Sequence, residues 1–324
     1  MLIDCHNHIG ADMLFYLHGD FPYAQQLVDM TQVGGDLGIT HWIVFPFVSY
    51  AAMDVTKFRS GGIGFGVNGL ETVPYAFENR RLLEECHCLF PEEGRKTLPF
   101  VMVDPMRNTD AQAAELIKLR AEHRFHGIKI QSTIIQADIK RLAHEGRVFL
   151  DLAREWDVPF LIHSSVIESD VWAQAHDIID LAEANPDIRF CAAHSCRFDK
   201  ECLDRINALP NAWFDNSAHC IHCLCVMEGR ANVAPKERRF DSDYSDPARV
   251  IADLAAAYSD KFMWGSDSPF YSYAAQLDGQ VVKLISTYTE EVTALKACPP
   301  AVVTRIASTN TRRFLKLADE SILA

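Results

Sequence analysis

A chain of 324 residues is long for one ordinary domain but within the range of a single α/β barrel. Its 48% hydrophobic and 23% charged residues exclude intrinsic disorder and fibrous architectures. Thirty-one Lys and Arg against 44 Asp and Glu leave a net charge of −13, which argues against a nucleic-acid partner because such binding neutralises phosphates with basic side chains. Ten cysteines fall far below the density of a disulfide scaffold, so reduced thiols are expected. The opening MLIDCHNHIG has Asp4 and no basic region ahead of a long apolar run. It does not read as a secretory signal, and a cytoplasmic location is the expectation. No stretch approaches roughly 18 uncharged apolar residues, so no membrane span is expected.

Along the chain, eight short β-rich runs alternate with amphipathic stretches, the pattern of parallel strands joined by crossover helices. The runs are Leu2 to His6, Trp42 to Phe45, Phe100 to Val103, Gly127 to Ile130, Phe160 to His163, Arg189 to His194, Ala212 to Asp215 and Phe262 to Gly265. Helices are predicted at Ala111 to Glu122, Val148 to Trp156, Val171 to Ala184 and Pro247 to Ser259. Eight βα units imply a closed (β/α)8 TIM barrel; a doubly wound open sheet is the alternative. No repeat, linker or composition break divides the chain, so residues 1–324 are read as one domain. Long connections follow the second strand (Pro46 to Pro99) and the seventh (Asn216 to Pro247). They leave the C-terminal ends of their strands, the face on which barrel enzymes build their sites.

Polar residues stand where those strands end. Residues two apart in a strand share a face, so His6 and His8 can present both imidazoles to one ion. Asp4 is expected on that same face, either orienting an imidazole or packing in the barrel interior. His163 and His194 close the fifth and sixth runs, and Asp267 follows the eighth. Imidazole nitrogen with carboxylate oxygen suits a borderline divalent ion such as zinc, with a position left for water or substrate.

Asp4-Cys-His-Asn-His8, His163, His194, Gly265-Ser-Asp-Ser-Pro269 and the ending that starts at Asn310-Thr-Arg-Arg-Phe together resemble the amidohydrolase superfamily. The similarity is to its amidohydrolase-2 branch, which includes aminocarboxymuconate-semialdehyde decarboxylase and dicarboxylate lactonases, and it spans nearly the whole chain. The resemblance implies that His6, His8, His163 and Asp267 are metal ligands and that His194 sits beside the water or substrate, with Asp267 and His194 catalytic. Lys129, in the fourth strand, is ambiguous: some superfamily members carry a carboxylated lysine there that bridges two metals, and in others it contacts substrate. The matched branch is mostly mononuclear, so one zinc and a substrate-binding Lys129 are expected, while a binuclear site stays open.

Other signals are weaker. Gly64, Gly66 and Gly69 fit a dinucleotide-binding spacing but follow no strand, and are read as a loop above the barrel. The His219, Cys220, His222, Cys223 and Cys225 cluster lacks paired C-x-x-C knuckles and is read as ordinary buried thiols, as is Cys86-His87-Cys88. Arg197, with Arg59 or Arg81, is a candidate to hold a substrate carboxylate. The leading function is hydrolysis of a small lactone, ester or amide by metal-activated water. The alternative is non-oxidative decarboxylation of a small carboxylic acid, and a non-catalytic binder would lack tightly bound metal. The partner is a small molecule, with no nucleic acid or membrane, and a homodimer is allowed.

Overall fold

The computed structural model describes residues 1–48, 72–277 and 280–317. Arg59 and the Gly64 to Gly69 stretch lie outside them. Eight parallel strands follow one another in chain order: β1 (Ile3–Ala11), β2 (His41–Pro46), β3 (Thr97–Met102), β4 (Gly127–Ile130), β5 (Phe160–Ile162), β6 (Phe190–Ala192), β7 (Ala212–Asp215) and β8 (Phe262–Met263). Every one of the eight predicted runs is a strand. The chain beyond β8 bonds back to β1: Cys5 N donates to Trp264 O at 3.2 Å, Asp267 N to His6 O at 2.9 Å and His8 N to Ser268 O at 2.7 Å. These bonds close the barrel and dispose of the open-sheet alternative.

Both faces of the strands are apolar, as a parallel sheet covered by helices requires. Ile43, Phe45, Phe100, Met102, Leu161 and Met263 belong to one buried cluster inside the barrel. Their neighbours Val44, Val101, Ile128, Ile162 and Phe262 belong to a second cluster, packed against the helices. Gly127 is required by this interior, because a Cβ there would lie 2.2 Å from the Phe100 ring.

The outer layer contains α1 (Leu27–Asp36), α2 (Ala76–Glu84), α3 (Thr109–Glu122), α4 (Arg147–Trp156), α5 (Ala175–Ala184), α6 (Lys200–Ala208), α7 (His219–Met227), α8 (Pro247–Ala257) and α9 (Tyr288–Lys296). In α4 the apolar residues Phe149, Leu150, Leu152 and Ala153 are buried, the stripe that amphipathic spacing dictates. Pro247 opens α8, where the Asp246 carboxylate accepts the amides of Ala248 and Arg249. The connection after β2 holds α2, a π-turn at Glu85–Leu89 and a short turn at Pro91–Gly94; the connection after β7 holds α7. A hairpin of Tyr273–Leu277 and Gln280–Leu284 follows the last barrel strand. Among the described residues no helix is long and apolar enough to cross a membrane.

Candidate metal centre

The site begins with an irregularity in β1. Against β2, Asp4 pairs with Trp42 but Asn7 pairs with Val44, so three steps on one strand face two on the other. That extra residue is a β-bulge, which shifts the alternation of side chains by one. Asp4 therefore does not share the face of His6 and His8, and the expectation that it does is corrected. Its carboxylate accepts the Tyr288 hydroxyl at 2.7 Å on the helical side of the strand, and the amides of Ser266 (2.9 Å) and His6 (3.2 Å). Among the described residues its carboxylate has no hydrogen bond to an imidazole; burial raises it to about 6 against these bonds.

Beyond the bulge, His6 and His8 point into the barrel mouth and flank the Phe45 ring. Gly265 makes room for them, since a Cβ there would stand 2.8 Å from the His6 Cβ. His6 Nδ1 is 3.1 Å from Asp215 Oδ2, and His8 Nδ1 is 3.3 Å from the Pro46 carbonyl. The opposite nitrogens converge on one atom: Asp267 Oδ1 lies 3.3 Å from His6 Nε2 and 3.5 Å from His8 Nε2. Asp267 Oδ2 is 3.8 Å from His194 Nδ1. Asp267 adopts a left-handed backbone, φ 63°. Among the described residues no hydrogen bond joins its carboxylate to the backbone of the turn that follows.

His194 opens an unusual turn. Five consecutive residues, His194 to Phe198, have φ between 47° and 65°, a left-handed conformation that costs roughly 1–2 kcal/mol per non-glycine residue. Such strain is found where a site needs it, and here it brings His194 and Arg197 to the same opening. The Ser217 hydroxyl lies 2.8 Å from His194 Nδ1, and His163 Nδ1 is 2.9 Å from His194 Nε2. Arg197 donates to the Ser164 carbonyl at 3.1 Å and its fork meets His222 and, at 3.4 Å, His163. No carboxylate pairs with this guanidinium among the described residues. Burial first, and the Arg197 charge second, push the imidazoles of His163, His194 and His222 well below their ordinary value. Both effects favour the uncharged ring.

Two further groups surround His6. Lys129 Nζ is 3.0 Å from His6 Nε2 and 4.7 Å above the Phe45 ring. Burial lowers its ammonium to about 8, although the Asp215 and Asp267 carboxylates pull the other way. Asp215 is fully buried at the end of β7 and accepts His194 N, Ser217 N and the Ser217 hydroxyl besides facing His6. Burial would raise its carboxyl, but His6, Ser217 and Lys129 outweigh it and hold it at about 2.

Donor atoms of His6, His194 and Asp267, all buried, lie within 4.8 Å of one another. Asp267 Oδ1 is buried and, apart from the two imidazole nitrogens at 3.3 and 3.5 Å, has no hydrogen-bond partner among the described residues, a position that a cation would stabilise. Imidazoles and one carboxylate are the donor set of a divalent transition ion, so these residues fit a metal. His8 adjoins the group through Asp267, and His163 through His194.

Of the remaining candidates, Arg81 is exposed and paired with Glu84 at 3.1 Å. All ten cysteines are free. His219 bonds the Pro247 carbonyl at 2.9 Å and stands 3.6 Å from Cys223 Sγ. His222 of that cluster meets His194 and Arg197 at the barrel mouth. Asp215, His222 and Ser217 are the site residues that sequence reasoning missed.

The amidohydrolase family model matches residues 3–317, and the chain belongs to this family of metal-dependent enzymes. No curated protein matches the sequence. Among solved structures it is similar to the dihydroorotase of Campylobacter jejuni (13% identity, TM-score 0.56, covering 98% of this chain and 83% of that one). It is also similar to a 5-carboxyvanillate decarboxylase of Novosphingobium aromaticivorans with bound manganese (12%, 0.56, 98% and 97%). A third similar structure is an uncharacterized TIM-barrel protein of Bordetella bronchiseptica (10%, 0.58, 97% and 99%). At these identities the likeness is one of fold.

Proposed function

We propose that the protein is a hydrolase that uses one divalent ion, zinc by its donor set, to cleave a C–O or C–N bond in a small lactone, ester or amide. The carrying observation is the two-sided placement of Asp267. Its Oδ1 faces His6 and His8, and its Oδ2 faces His194. One carboxylate can thus hold the ion and exchange a proton. His6, His8, His163 and Asp267 are assigned as ligands. When bound, the ion supplies a Lewis acid that polarises a carbonyl oxygen and brings the acidity of water near neutral pH. His194, neutral and fixed by Ser217, takes or returns a proton beside Asp267. Lys129 and Arg197 supply positive charge to orient the substrate, which favours one bearing a carboxylate.

The half-buried Arg197, which meets no carboxylate among the described residues, also supports a second reading, in which it holds a carboxylic acid for non-oxidative decarboxylation. A dihydroorotase and a carboxyvanillate decarboxylase both share the fold, so fold does not choose between them. Turnover of a panel of small lactones, amides and aromatic acids in 18O-water does. Label in the product supports hydrolysis; carbon dioxide release with unlabelled organic product assigns decarboxylation instead.

A further inference from the structure

A second cavity of about 860 Å³ opens at the other end of the barrel. It lies where β2 and β3 begin and where the chain enters β4, at His41, Thr97 and His126. The metal cluster stands at the strands' C-terminal ends, and at about 3.3 Å per residue a six-residue strand separates the two. Ile39, Trp42 and Leu98 line it from the core side and are each at most 4% exposed.

The wall is a built feature. The π-turn Glu85–Leu89 runs against Gly94, where a Cβ would lie 1.7 Å from the Cys86 carbonyl oxygen, so only glycine allows the approach. The charge at the rim runs against that of the whole protein. Arg95 is neutralised by Glu92 at 2.8 Å. Lys96 and Arg124 also line the opening, and neither meets a carboxylate among the described residues. His126, which lines the same cavity and feels the Arg124 charge, has an Nδ1 that is buried with no hydrogen-bond partner among the described residues. Burial holds the imidazoles of His41 and His126 at about 4 and about 3, so both are neutral and serve as hydrogen-bonding groups rather than charges.

We propose that this cavity is a second ligand site, taking a small organic phosphate whose dianion meets Lys96 and Arg124 at the rim. Two uncompensated cations match a dianion, and the volume suits a small metabolite. The site is independent of the reaction run at the metal.

Calorimetric titration of the metal-loaded protein with phenyl phosphate tests it. Saturable binding is expected, weakened about tenfold or more in Lys96→Gln/Arg124→Gln, because each lost charged contact carries that order of effect. Both residues are exposed, so the variant folds, which circular dichroism verifies. Arg197→Gln, altered at the barrel mouth, is expected to bind phenyl phosphate as the parent does. The proposal is overturned by absence of saturable binding at millimolar ligand, by equal binding of benzoate, or by loss in Arg197→Gln with retention in the double variant.

Discussion

The Asp215 carboxylate lies 3.1 Å from His6 Nδ1 and determines which nitrogen of that ring looks into the site. With Nδ1 donating to a carboxylate that stays ionised, Nε2 carries the lone pair, and Nε2 faces Asp267 at 3.3 Å. A carboxylate behind a ligating histidine fixes the tautomer and raises the basicity of the ligand.

Replacing Asp215 with Asn keeps the shape and one acceptor but removes the charge. Metal affinity is expected to fall about 10- to 100-fold, measured by competition against a chromogenic chelator. An unchanged affinity would show that Asp215 serves only to bind the turn at Ser217 and His194.

His6→Ala/His8→Ala removes both imidazoles that converge on Asp267 Oδ1. Elemental analysis of the purified double variant is expected to show the ion lost. Undiminished metal would place the ion elsewhere.

Lys129 stands 3.0 Å from His6 Nε2 as a cation, which does not help an ion bind there. Lys129→Met preserves the volume that packs on Phe45 and removes the charge. Turnover is expected to drop with metal content unchanged. Loss of half of two bound ions would instead reveal a bridging carboxylated lysine.

The fold was legible because each strand is a short β-rich run buried on both faces, and a parallel sheet leaves no polar alternation to confuse the reading. His6, His8, His163, His194 and Asp267 were legible for the same reason, as polar residues ending apolar runs. Asp215 ends Ala-Trp-Phe-Asp in the same way, so its signal was present and went unused. Asp4 was assigned to the wrong face because a bulge leaves no mark in composition, and one extra residue reverses the alternation. The left-handed turn from His194 to Phe198 was hidden for a related reason. It contains no glycine or asparagine to announce positive φ, and tertiary contacts hold it. His222 was read with its cysteine neighbours, and only the placement of α7 beside Arg197 separates it from them.

Glu291 offers a pH test at a group outside the proposed ligand set. Its Oε1 accepts the Cys220 amide at 2.9 Å, Oε2 is buried with no hydrogen-bond partner among the described residues, and burial raises its carboxyl from 4.5 to about 8 despite the bonds from Cys220. The folded state therefore holds the proton more tightly than the unfolded one. Its stabilising effect is full below 4.5 and is lost as pH rises toward 8. Glu291→Gln keeps the acceptor and cannot ionise. Parent and variant are expected to have similar stability near pH 4.5, with the variant ahead by a few kcal/mol at pH 8, since each pKa unit is about 1.4 kcal/mol. Denaturant midpoints at the two pH values measure this, and a gap that does not grow with pH would refute it.

Asp267→Asn separates chemistry from architecture most directly. The amide is isosteric, and among the described residues the carboxylate makes no hydrogen bond that the fold depends on, so the variant is expected to fold with parent-like stability. Two roles are lost together. A neutral amide oxygen is a weaker partner for an ion than the buried Oδ1 that now faces His6 and His8, and the amide cannot accept a proton near pH 7 at the position of Oδ2 beside His194. Loss of a single general base costs about 10² to 10⁴ in rate, and at least that is expected per metal-loaded site. Activity must be normalised to bound metal, because a variant that merely loads poorly would recover when saturated with zinc. A saturated Asp267→Asn protein turning over its substrate within threefold of the parent would remove Asp267 from the chemistry and leave it a ligand only.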